Sequence, residues 1–448
     1  MLRPAVAKKR ARRQGQAWVS ARACLLPCLV SLACTGPRHE QVDHGRFKAI
    51  ELSVPKAPHS VALLLAAPGD GPQATAVTAQ LSSQGSVVAR IDASAFIDVL
   101  DAAKDPCASP SGDLDNLARF IQAYLNLPSY QPAILLGVGV GAGLVSGALE
   151  QSPGTFAGAI IDDDCGPSPL HAPLCPAEVS HAATGAAPEP PAPLRLRPSP
   201  GGICPEGASA SGAPPALNMA LLAGEYAELA QAANARATYA PTDLGDMPIV
   251  EVLANGAEVS DAFGVFLSGD GGWAGLDKEL SARLAQRGLP IVGIDSLRYF
   301  WRERTPESTA ADLDRVIQRY QAAWGRKRVV LLGFSQGADV LPFVLNRLPP
   351  PTRGSLVSAV TMAISTTATF EFHVSNWMGA SGDRPTLPEM ERLAHAGVVC
   401  IYGKEDGDSL CPRLDPNAFR VVELPGTHHF NGDYDRLSTT VLATLPPG

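Results

Sequence analysis

No apolar run beyond residue 40 is long and uninterrupted enough to span a bilayer, which excludes a membrane-spanning segment from that part of the chain. No two cysteines are spaced C-x-x-C, so nothing points to a zinc site, and no metal or cofactor is expected. Basic residues are scarce where it matters. Seven of the 36 Lys+Arg fall in residues 1–33, which hold no acid, leaving 29 against 44 Asp+Glu and a net charge of −15 for the remainder. Such a surface has no general attraction for nucleic acid or anionic lipid, and it suits a cationic substrate.

The 448 residues are 46% hydrophobic, enough for two or three domains with real cores, and 42 Gly with 40 Pro predict turn-rich loops. A basic block, Lys8, Lys9, Arg10, Arg12 and Arg13, precedes a short apolar run at 23–33. This is the pattern of a secretory signal over residues 1–33, and it predicts export from the cytosol. Cys34 follows the small residues Ser31 and Ala33, and is a candidate for lipidation. Six further cysteines, Cys107, Cys165, Cys175, Cys204, Cys400 and Cys411, read as disulfides in an oxidising compartment. Cys400 and Cys411 flank an acidic loop and are the first pair expected.

The chain repeats itself. Gly69-Asp70-Gly71 aligns with Gly269-Asp270-Gly271, Ile91-Asp92 with Ile294-Asp295, Asp113-Leu114-Asp115 with Asp312-Leu313-Asp314, and Gly137 with Gly333, at offsets of 196 to 203. Each half reads strand, Gly-rich loop, helix, strand, helix, strand, helix. Leu313, Val316, Ile317, Tyr320 and Trp324 keep helical spacing, and VVLLG and VVCIYG read as buried parallel strands. Residues 182–215, dense in Pro, Gly, Ala and Ser, read as a mobile insertion. The expected division is 34–240 and 241–448, with a boundary near Ala240-Pro241.

Chemistry concentrates in the second half. Gly333-Phe334-Ser335-Gln336-Gly337 closes a β run and opens a helix-like segment, which is the nucleophile elbow of α/β hydrolases. The tight turn demands small flanking residues and lifts the Ser335 hydroxyl out of the sheet, while the Gln336 amide is placed to stabilise an oxyanion. In this fold an acid and then a histidine follow the serine. Asp406 has the G-x-x-D spacing of the acid, with Asp408 as alternate, and His428 has the H-x-F spacing of the base, with His429 as alternate. The loop 268–273 offers Gly271 or Gly272 for a second oxyanion amide, and Asp270 and Trp273 as substrate contacts. Pro342 is expected to kink the helix behind the serine. In the first half Gly139 stands at the nucleophile position. The expected fold is therefore two tandem α/β-hydrolase-like domains with mainly parallel sheets, the first degenerate.

The phrases LSGDGGW (267–273), GFSQGADVLPF (333–343), CIYGKEDGDSLCP (400–412) and PGTHHFNGDYD (425–435) resemble the AcvB/VirJ family of bacterial virulence proteins, and the two-half layout resembles its longer AcvB type. The resemblance implies a periplasmic protein that hydrolyses lysyl-phosphatidylglycerol to lysine and phosphatidylglycerol at the membrane surface. It also implies an alternative, a non-catalytic periplasmic factor that binds type IV secretion proteins; a further reading is an esterase or thioesterase with another acyl substrate, since a fold does not fix a substrate.

Overall fold

A computed structural model describes residues 36–103, 107–152, 154–162, 170–175, 193–197, 218–236, 244–245, 247–255, 261–372 and 384–445. The signal-like segment, Cys34, Cys165, Cys204, the expected boundary at Ala240-Pro241 and most of 182–215 lie outside them. The residues from Pro37 onward form one compact unit.

Two seven-stranded sheets organise it. The first half contributes β1 (Arg38–His44), β2 (Phe47–Val54), β3 (Ser60–Ala66), α1 (Gly71–Ser83), β4 (Ser86–Asp92), α2 (Ala93–Ala102), α3 (Pro110–Tyr124), β5 (Ile134–Val138), α4 (Gly141–Gln151), β6 (Gly158–Asp162), β7 (Leu194–Arg197) and α5 (Met219–Arg236). The second contributes β8 (Ile249–Val252), β9 (Ala262–Leu267), α6 (Gly275–Gln286), β10 (Ile291–Ile294), α7 (Ser296–Tyr299), α8 (Pro306–Trp324), β11 (Arg328–Phe334), α9 (Gln336–Leu345), α10 (Pro350–Ser355) and β12 (Leu356–Met362). A small ribbon of β13 (Thr367–Ala368) and β14 (Arg384–Pro385) follows, then α11 (Leu387–Glu391), β15 (Val398–Gly403), β16 (Arg420–Leu424) and α12 (Tyr434–Leu442).

The strand orders are β1-β2-β4-β3-β5-β6-β7 and β16-β15-β12-β11-β9-β10-β8. Laid side by side, β2-β4-β3-β5-β6-β7 runs in the same order as β8-β10-β9-β11-β12-β15. In both, an antiparallel strand joins an otherwise parallel series: β8 stands at the sheet edge, while β2 is itself flanked by the antiparallel β1. The duplication read from glycines and aspartates is thus a duplication of topology, and the α/β architecture with two mainly parallel sheets is the one observed. Asp92 and Asp295 explain one landmark: each caps the helix after its strand, accepting from Ala95 N at 3.0 Å and from Arg298 N at 3.1 Å.

Both faces of the second sheet are buried, one under α8 and α9 and the other under α6 and α12, so β9, β11 and β12 are apolar almost throughout. Leu313, Val316, Ile317 and Tyr320 face the core from α8, as their spacing predicts. Pro342 sits inside α9 instead of ending it. Within the segment 182–215 only 193–197 are described. Leu194–Arg197 forms β7, which pairs in parallel with β6 at the sheet edge. Four residues suffice for an edge strand, and their alternating pattern is submerged in the surrounding proline and alanine.

Among the described residues no helix is long and apolar enough to cross a membrane. Cys400 bonds to Cys411 as expected, and Cys107 bonds to Cys175, a pairing the sequence did not single out.

Candidate active site

β11 ends at Phe334 and α9 begins at Gln336, so a single residue, Ser335, makes the turn. Its backbone stands at φ +50°, ψ −120°, a left-handed conformation that side-chain-bearing residues rarely adopt. Such strain persists only where the surroundings over-determine it. Here the crowding is steric. A Cβ on Gly333 would lie 2.5 Å from the Gly337 carbonyl oxygen, and one on Gly337 would lie 2.1 Å from that of Leu267. The glycines are what let α9 start against β9.

The hydroxyl so exposed meets its expected partners. Ser335 Oγ lies 3.0 Å from His428 Nε2, and His428 Nδ1 lies 3.1 Å from Asp406 Oδ2. The Asp406 side chain is only 6% exposed and that of His428 is 35% exposed. The acid is screened from water while the base remains reachable from the cavity. Asp406 sits in the loop after β15, where its amide donates to the Gly403 carbonyl at 2.9 Å. Gly403 has no room for a side chain, because a Cβ would meet the Thr427 carbonyl oxygen at 2.1 Å. The acid loop and the histidine loop cross at that point. The Cys400–Cys411 bond closes the acid loop from behind.

The alternates stand elsewhere. Asp408 is exposed, and no hydrogen bond joins it to either histidine. His429 is exposed and packs by its ring against Phe334 and His428. Both histidines lie in the turn that leads into Phe430, which is 1% exposed.

Gln336 opens α9, so its amide has no acceptor within the helix and lies at the positive end of the helix dipole. The loop after β9 passes directly over the elbow: a Cβ on Gly269 would be 3.5 Å from that of Ser335. Of the two glycines expected to supply a second oxyanion amide, Gly272 is otherwise engaged, its N–H donating to the Gly269 carbonyl at 3.1 Å. The Gly269 amide is engaged too, held by the carboxyl of Asp277. Burial pushes that carboxyl well above the ordinary aspartate range, with the Gly269 amide pulling in the opposite direction. The amides of Asp270 and Gly271 lie between these two.

Trp273 is first a packing residue. Its indole covers β10 where Gly293 leaves space, and it meets Phe266 edge to face at 5.7 Å. It also borders the cavity over Ser335, which measures about 500 Å³ and takes its walls from both halves. Ser335, His428, Asp270 and Asp295 come from the second half, and Ser111, Asp115, Arg119 and Tyr130 from the first. The sequence allowed the first half a part in packing or substrate shaping without naming these residues.

The first half repeats the elbow without its chemistry. Gly139 holds φ +54° between β5 and α4. Cβ atoms at Gly137 and Gly141 would lie 2.7 Å from Ala142 Cα and 2.2 Å from the Leu65 carbonyl oxygen, the same crowding as at Gly333 and Gly337.

Residues 261–447 match the model of the family described as bacterial virulence protein (VirJ). The match falls wholly within the second half and takes in Ser335, Asp406 and His428. No curated protein matches the chain. Among solved structures it is similar to LpqC, a poly(3-hydroxybutyrate) depolymerase from Bordetella parapertussis, at 16% identity, covering 46% of this chain and 89% of that one with a TM-score of 0.33. It is similar to Est1E from Butyrivibrio proteoclasticus at 11% identity, 45% and 96% coverage and a TM-score of 0.33. It is also similar to an α/β serine hydrolase without a lid from Xanthomonas campestris at 15% identity, 45% and 91% coverage and a TM-score of 0.31.

Proposed function

We propose that the second half is a serine hydrolase acting on the aminoacyl ester of a membrane lipid, lysyl-phosphatidylglycerol in the first instance. The observation that carries the reading is the continuous line of contacts from Asp406 through His428 to Ser335. A purely binding protein has no need of a strained serine held 3.0 Å from a histidine nitrogen.

In this reading Ser335 Oγ attacks the carbonyl carbon of the ester and its proton passes to His428 Nε2. Asp406, facing Nδ1, fixes the tautomer and stabilises the imidazolium. Charge on the carbonyl oxygen is met by the Gln336 amide and by the amide of Asp270 or Gly271. Collapse expels the glycerol hydroxyl of phosphatidylglycerol, which takes the proton back from His428. Water, activated by His428, then attacks the lysyl-enzyme and releases lysine. The carboxylates of Asp270 and Asp295 on the cavity wall suit a substrate bearing ammonium groups, Asp295 sharing its charge with Arg298 at 3.6 Å. Two disulfides suit the periplasm, where the headgroup is reached from the membrane surface.

The test is purified protein presented with vesicles of phosphatidylglycerol containing lysyl-phosphatidylglycerol. Lysine release that disappears in a folded Ser335→Ala variant is expected. A Ser335→Ala protein that releases lysine at the original rate would end this reading. Release from simple acyl esters but not from the aminoacyl lipid would keep the hydrolase and discard the substrate.

A further inference from the structure

The oxyanion loop is held from outside its own half. Arg119, on α3 of the first half, is 5% exposed and donates from both terminal nitrogens to successive carbonyls of that loop: Nη1 to Asp270 O at 2.9 Å and Nη2 to Gly271 O at 3.1 Å. Asp115, one turn earlier on α3 and 6% exposed, holds the same guanidinium at 2.7 Å. Tyr130 donates to Asp115 at 3.3 Å, and its ring lies 5.8 Å from the guanidinium carbon. The guanidinium is thus buried, charge-paired and oriented before it reaches the loop.

Three of the four loop residues from Gly269 to Gly272 are glycine. Gly272 needs φ +79°, and a Cβ there would lie 2.9 Å from Asp295 Oδ1. A loop of this composition has little stiffness of its own. Every described peptide bond is trans and planar, so its C=O and N–H point in opposite directions. Pulling the Asp270 carbonyl toward Arg119 therefore turns the Gly271 N–H away from it, and pulling the Gly271 carbonyl sets the Gly272 N–H, which closes onto Gly269. The planar fork of arginine suits two carbonyls in sequence, and a lysine ammonium cannot reproduce it.

We infer that the first half, which lacks a nucleophile, serves the second as a built-in positioning element, with Arg119 as the residue that fixes the oxyanion loop above Ser335. The inference rests on the hydrolase reading. Arg119 acts through the loop backbone, and its effect falls on the acylation rate more than on substrate affinity. Misplacing a donor by about an ångström costs up to roughly a hundredfold in rate.

The experiment uses full-length protein and a fluorophosphonate probe that labels an activated serine, together with kcat and KM for a simple ester. Arg119→Ala should lower the labelling rate and kcat by about tenfold to a hundredfold with KM within about threefold, and Arg119→Lys should recover part of the loss. Trp301→Phe serves as the control for stability. It keeps an aromatic ring beside Tyr130, which Trp301 meets at 5.5 Å, and removes only the Trp301 Nε1 donation to the Leu127 carbonyl, 2.8 Å, a second contact between the halves. Its melting temperature should fall while kcat stays near the wild-type value. Wild-type labelling in a folded Arg119→Ala variant would overturn the inference, as would an equal kcat loss in Trp301→Phe. If Arg119→Ala does not fold, Arg119→Lys compared with Trp301→Phe at the same distance below the melting temperature decides between the two. A wild-type protein that takes no probe at Ser335 would remove the hydrolase reading and this inference with it.

Discussion

Gly139 and Ser335 occupy the same turn in the two halves, at φ +54° and +50°. Each sits between glycines that have no room for a Cβ. The first half has therefore kept the geometry of an elbow while holding a residue that cannot attack a carbonyl. Adding Gly139→Ser to a Ser335→Ala protein should give no hydrolysis above buffer, because a serine without base and acid is a poor nucleophile. The new Cβ would lie 3.0 Å from Asp70 Oδ2, so a lower melting temperature is also expected. Turnover by the double variant would show that the first half retains a working site.

His428→Ala should cost at least about a thousandfold in kcat, and His429→Ala less than about tenfold. Only His428 bridges Ser335 and Asp406, while His429 is exposed beside it. Steady-state rates of the two variants on one ester decide this, and the reverse order would move the base to His429.

Asp277 links pH to stability. Its carboxyl is buried, its Oδ1 has no hydrogen-bond partner among the described residues, and its pKa is raised well above the ordinary value, chiefly by burial. A carboxyl with a raised folded-state pKa contributes stability that is complete below its unfolded value and is lost as pH rises through the folded value. Asparagine keeps an acceptor for the Gly269 amide and does not titrate. The melting temperature of Asp277→Asn relative to wild type should therefore climb from pH 4 to pH 8. Parallel pH curves for the two proteins would contradict the assignment.

Replacing Cys400 and Cys411 by serine together should destabilise the protein by about 3 kcal/mol, the chain-entropy value for a short closed loop. The bond spans 11 positions and encloses Asp406. Denaturant unfolding of oxidised wild type against the double variant measures it. Unchanged midpoints would mean that the loop is held by its hydrogen bonds alone.

Much of this was legible in the sequence because steric necessity writes itself in small residues at fixed intervals. Gly333 and Gly337 announce the elbow, and Phe430 marks which of two adjacent histidines turns inward. Periodicity located α8 for the same kind of reason. What stayed hidden was carried by distance along the chain. An arginine on an amphipathic helix looks like a solvated residue, and nothing near Arg119 announces acceptors some 150 positions away. The Cys107–Cys175 pairing, 68 positions apart, is silent for the same reason, and β7 is masked by the composition around it.

The polar contacts between the halves run in both directions. Arg119 donates to carbonyls of the second half, while Trp301 and Arg302 donate to the Leu127 and Pro128 carbonyls of the first. Each half thus offers main-chain acceptors to the other half's side chains. Main-chain oxygens cannot be mutated away, so drift on either side is constrained by backbone shape on the opposite side. A copy that has lost its serine thus still supplies donors and acceptors that the other half uses.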